Sequence, residues 1–132
     1  MRLRLHLHLR LHLRLHLLLL QLLLDEGREI KSIAGHSKGS LSIGFAMHAL
    51  AALQESEALK RAQAARILTL GAVINLPDGF DNVGQYLGWA DPLGFRYSAP
   101  FTQRSMEPGA GHALGDCAPM PMDMASILSR EP

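Results

Sequence analysis

The segment with the clearest chemical potential is Gly35-His36-Ser37-Lys38-Gly39, a serine with a glycine two positions to either side. A free serine hydroxyl is hardly ionised at neutral pH, so nucleophilic use of Ser37 requires a base beside it and a group that orients the base. The chemistry would be attack on an acyl carbon, with backbone N–H groups receiving the charge that develops on the carbonyl oxygen. The amide of Lys38, at the start of an expected helix, is the candidate donor. Gly35 and Gly39 fit a strand-to-helix turn so tight that side chains at its flanks would collide.

Two histidines follow Ser37, namely His48 and His112. His48 belongs to the same expected helix as the serine, about three turns on, and cannot turn back to reach it. His112, in the glycine-rich stretch Gly109-Ala110-Gly111-His112, is the better candidate base of the two; its alternative reading is a histidine on a surface loop. The candidate for the orienting acid is Asp91, which follows an expected strand in Trp89-Ala90-Asp91-Pro92 and would hold the imidazole in one tautomer. Asp78 and Asp81 compete for the role, although turn chemistry beside Pro77 and Gly79 explains them more simply.

The elements that must position these groups are legible as hydrophobic pattern. Residues 30–34 form a short apolar segment before the glycine-rich turn, which predicts a buried parallel strand. Residues 40–66 are helical in tone, with a break near 55–57, and small residues at Ser40, Ser42, Gly44 and Ala46 allow close packing on a sheet. Residues 67–74 and 83–87 predict two further strands, and residues 92–111 a loop with one strand near 95–101. Residues 17–28 predict a helix, as do 122–128, where Asp123 near the start favours the helix dipole. Strand, helix, strand and strand with short links predict an α/β protein with a short, mostly parallel sheet flanked by helices. The five-residue pattern is weak alone, and an ordinary tight turn exposing Ser37 is the plainer alternative; the flanking elements are what strengthen it.

The 132 residues suit one domain, and 48% apolar with 19% charged residues excludes a wholly disordered or wholly membrane-embedded chain. The net charge of +1 hides an asymmetry: residues 1–24 carry four Arg and four His with no acid, and the rest has nine Lys and Arg against twelve Asp and Glu. From Leu3 to Leu17 every odd position is Leu and every even one Arg or His. The division is therefore a low-complexity tract over 1–24 and a domain over 25–132. A period of two in the tract matches a strand with one Leu face, and the plainer reading is a repetitive stretch with no evolved role. No small-residue cleavage site follows it, which argues against a secretory signal and favours a cytoplasmic location. Its apolar run is short for a membrane span. Its Arg content gives a weak attraction to anionic lipid or nucleic acid, with no nucleic-acid motif beside it. His6, His8, His12 and His16 share one strand face, but mixed with Arg they do not make a metal site. The single Cys117 excludes a disulfide framework and reads as passive, and Met120, Met122 and Met124 as packing for the C-terminal segment.

Ile33-Ala34-Gly35-His36-Ser37-Lys38-Gly39-Ser40-Leu41 resembles the nucleophile elbow of the α/β-hydrolase superfamily, and within it of lipase-like serine hydrolases. Ile67-Leu68-Thr69-Leu70-Gly71-Ala72 looks like the strand that follows the elbow, Asn82 to Pro92 like the acid-bearing strand and loop, and Gly111-His112 like the base loop. The resemblance covers about residues 17–132 and is closest at the elbow. It implies the second half of that fold, truncated before the elbow, with Ser37 as nucleophile, Asp91 as acid, His112 as base and the Lys38 N–H in the oxyanion hole. Asp116 and Asp123 follow His112 and break the family order of serine, acid, histidine. The implied activity is cleavage of a small acyl ester or lipid through an acyl-enzyme, with no cofactor and no metal. The alternative is an inactive hydrolase-like piece that binds a partner or a membrane. The loop that supplies the family's second oxyanion donor has no counterpart in residues 1–34, where the Leu3–Leu15 stretch is the candidate for a replacement strand.

Overall fold

A computed structural model describes residues 14–15, 17–25, 27–54, 56–100, 102–115 and 118–130. The tract histidines, Asp116, Cys117 and residues 3–13 of the candidate replacement strand lie outside them; residues 14 and 15 are helical. Four strands form one sheet in the order β1 (Ser32–His36), β2 (Arg66–Leu70), β3 (Val83–Gly88) and β4 (Ser105–Glu107), and all three pairings are parallel. Helix α1 covers residues 17–24, followed by α2 (Lys38–Leu53), α3 (Ser56–Ala64), α4 (Pro92–Tyr97) and α5 (Met124–Arg130). The chain is an α/β protein.

Period-two alternation of faces along β2, buried on both sides, explains the layering. Ile67 faces a cluster made with Ile33, Ile43, Met47 and Leu50, which seats α2, α3 and the end of α1 on one face of the sheet. Leu68 and Leu70 face the other cluster, with Tyr86, Met122 and Ile127, which seats α5. A strand buried on both faces needs apolar residues at every position, and over the buried residues 67–70 of β2 Thr69 alone departs from this. Its hydroxyl donates to Gln85 Oε1 at 3.0 Å, an oxygen that also accepts the Ile74 N–H at 2.8 Å. Gln85 Nε2 donates to the Ile74 carbonyl at 3.1 Å, so this buried network is satisfied and ties the loop after β2 to β3.

Ser40, Ser42, Gly44 and Ala46 are all buried on α2, as expected of residues that let a helix approach a sheet. The break between α2 and α3 falls at Gln54, which adopts a left-handed conformation (φ 53°) and donates its N–H to Ala51 O. Helix α1 ends at Leu24, and Arg61 on α3 donates to the Leu23 carbonyl at 2.9 Å. At the other end, Arg130 donates to both carboxylate oxygens of Glu107 at 2.9 Å, clamping α5 to β4. The hydrogen bond that it donates to Glu107 holds the Arg130 guanidinium above its ordinary pKa. Met122 is fully buried, Met124 packs at the margin and Met120 is exposed, so two of the three methionines pack as expected.

Two expectations are corrected. Residues 92–111 hold a helix, α4, where a loop and a strand over 95–101 were expected, and the strand instead lies at Ser105–Glu107. The cause is local: Asp91 caps the helix and Pro92 enters at its first position, a combination that starts helices. β2 is also shorter than 67–74, because Gly71 takes φ 65° and turns the chain out of the sheet. No helix among the described residues is long and apolar enough to cross a membrane.

Candidate active site

Ser37 sits between the last residue of β1 and the first of α2, with φ 54° and ψ −117°. That backbone conformation is unfavourable for a residue with a side chain and persists only where its surroundings impose it. Here they do: the Ser37 N–H donates to Leu70 O at 2.7 Å, and its carbonyl accepts from Ser40 N at 3.0 Å. Ser40 Oγ donates to Gly35 O at 2.8 Å and closes the turn. A β-carbon on Gly35 would stand 2.7 Å from Ile43 Cδ1 and 2.8 Å from Ser40 N, so the position admits only glycine. Gly39 differs from expectation. Space is open around it to 4 Å, and nothing in the packing forbids a side chain there. The Lys38 N–H is at the first position of α2, where no intrahelical acceptor exists, and it lies next to the exposed flank of Ser37.

His112 reaches this turn from 75 residues away, with Nε2 2.7 Å from Ser37 Oγ and Nδ1 2.7 Å from Asp91 Oδ2. A carboxylate can only accept, so Nδ1 carries the proton and donates to Asp91, leaving Nε2 free to accept the Ser37 hydroxyl proton. Asp91 is fully buried, and its second oxygen accepts the Gly94 N–H at 2.6 Å. Both oxygens of this buried carboxylate are thus satisfied, as the low-polarity surroundings demand. Gly94 makes that possible, since a β-carbon there would run into Asp91 Oδ2 and Leu87 Cδ1.

Asp78 and Asp81 are exposed and precede β3, whereas Asp91 follows it; the length of a six-residue strand, about 20 Å, separates the two ends. His48 is exposed and donates to Asn75 O at 3.0 Å, away from Ser37. Ser37, His112 and Asp91 are therefore brought together, and the competitors are not.

Four further residues hold the site and escaped the sequence reading. The Gly88 backbone lies so close to Ala110 O and Gly111 O that a side chain would push the histidine loop off the sheet. Gly71 lies beneath the His112 ring. His36 Nε2–H donates to the His112 carbonyl at 2.6 Å, and the two imidazoles stack at 5.0 Å with a 44° tilt. Gly94 serves Asp91 as described. The pattern Asp-Pro-x-Gly over 91–94 was a readable helix-start signal; the role of His36 had none. Chemically, the constellation can draw a proton from Ser37 as it attacks, store it on a held imidazole, and offer one amide to an oxyanion.

No protein-family model, curated protein or solved structure matches this chain.

Proposed function

We propose that the chain is a serine hydrolase of the α/β-hydrolase type that cleaves a carboxylic ester through an acyl-enzyme. The observation that carries this reading is the unbroken relay Ser37–His112–Asp91, with both links at 2.7 Å, drawn from three separate sheet-edge segments. The strained backbone of Ser37 adds support, because strain of this kind concentrates at functional positions.

In the first half-reaction Ser37 Oγ bonds to the ester carbonyl carbon while its proton passes to His112 Nε2. The carbonyl oxygen becomes an oxyanion beside the Lys38 N–H. Its collapse breaks the bond to the alcohol oxygen, which takes the proton from His112 and leaves. Water then attacks the acyl-serine, gives its proton to His112, and Ser37 Oγ recovers that proton as the acid departs. Asp91 steadies the imidazolium in both halves without itself taking the proton.

A second reading rests on β1, an edge strand of this sheet. The Lys31 carbonyl and Ser37 N–H face β2, so by alternation the N–H and C=O of Ser32, Ala34 and His36 face outward. Among the described residues no strand pairs with this edge, which suits a hydrolase-like chain that captures a partner strand and turns nothing over. Hydrolysis of p-nitrophenyl butyrate by the full chain separates the two. The enzyme reading expects p-nitrophenol release that vanishes in Ser37→Ala, and equal rates in both proteins would refute it.

A further inference from the structure

A groove of about 300 Å³ begins one helical turn beyond Ser37 and follows α2. Leu41, Phe45 and His48 line it at spacings of four, four and three residues from the serine, which places all of them on one stripe of the helix. The facing wall is Val73 and Ile74, on the segment that leaves β2 through Gly71 under the His112 ring. One wall thus belongs to the helix that Ser37 begins, and the other to the segment that follows Gly71. Phe45 and Tyr97 keep 66% and 49% of their surface exposed along it, so an apolar ligand would cover rings that water now touches.

The charge lining this groove is as informative as its apolar walls. Arg96, exposed in the last turn of α4, supplies a guanidinium, and no carboxylate lines the groove among the described residues. His48 donates Nε2–H to Asn75 O, and Arg96 is the permanently charged cation of this lining. A guanidinium fork matches a carboxylate in shape as well as charge.

We propose that this groove holds the apolar chain of an ester that also bears a carboxylate, with the carboxylate paired to Arg96. As a substrate assignment, it rests on Ser37 being the nucleophile; as a binding site, it does not. An uncharged lipid chain would occupy the same walls without drawing on Arg96, and that difference makes the assignment testable.

The test uses the full chain carrying Ser37→Ala, so that binding is read without turnover. Calorimetric titration with octanoate and with octanamide compares two ligands of one length that differ in charge. Octanoate is expected to bind about tenfold more tightly, Arg96→Gln in the same background to erase that preference, and Arg96→Lys to restore part of it. Equal binding of the two ligands, an unchanged preference in Arg96→Gln, or binding of neither overturns the proposal. Mono-p-nitrophenyl suberate and p-nitrophenyl octanoate, given to the chain with Ser37 intact, then report on the serine. Octanoate binding without hydrolysis of either ester would contradict the hydrolase reading and leave the groove's ligand class standing.

Discussion

The imidazole of His112 rests on Gly71: a β-carbon there would stand 3.2 Å from both Cε1 and Nδ1 of the ring, and 3.3 Å from Cδ2 of His36. Gly71 also takes φ 65°, a conformation that costs a residue with a side chain about 1–2 kcal/mol. Gly71→Ala is thus expected to lower stability by about that amount and to displace the base from Ser37. Thermal unfolding and ester turnover, measured together, check this; loss of stability with full turnover would show that the ring does not depend on the glycine.

The two glycines of the elbow are expected to part company. Gly35→Ala forces its β-carbon against Ile43 and the first turn of α2, an overpacking that costs about 1–3 kcal/mol or more. Gly39→Ala meets open space in the second position of a helix, where alanine is favoured over glycine by up to about 1 kcal/mol. Denaturant midpoints of the two variants should move in opposite directions.

How far such features were legible in the sequence depends on their range. Short-range chemistry read well: the strand-turn-helix at Ser37, the break at Gln54 and the mostly apolar run of β2 are set by neighbouring residues. Asp91 and His112 were legible through chain position and elimination, because few candidates remained. What was not legible depends on contacts between distant segments. Gly71 and Gly88 are glycine because a loop some 20–40 positions later lies against them, and no local pattern encodes that. Helix α4 was missed for a different reason. Its six residues hold glycine, phenylalanine and tyrosine, weak helix formers, and the cap at Asp91 outweighs them.

Asp91→Asn tests the orienting link. The amide oxygen can still accept from Gly94, but an amide nitrogen facing His112 Nδ1 donates where acceptance is needed, and so favours the wrong tautomer. Turnover is expected to fall by about 10³ to 10⁴ while the fold persists, by analogy with serine hydrolases whose acid is replaced in this way. Steady-state kinetics alongside circular dichroism separates a chemical loss from unfolding.

His36 contacts His112 through the backbone of its loop, and it is expected to act on turnover by positioning that ring. Removing its bond to the His112 carbonyl in His36→Leu costs about 1 kcal/mol of positioning, equivalent to a turnover loss of about fivefold. His36→Gln keeps a side-chain donor and should recover much of it, with KM unchanged in both. Equal losses in the two variants would show that the ring stacking matters and the hydrogen bond does not.

The central claim, that Ser37 is an activated nucleophile, is tested most directly by exposing the folded chain to a fluorophosphonate and weighing the intact protein. A single adduct is expected, mapped to Ser37 by peptide sequencing, absent in Ser37→Ala and formed far more slowly in His112→Ala. Folded protein that gains no adduct, or gains one at the same rate without His112, would contradict the account.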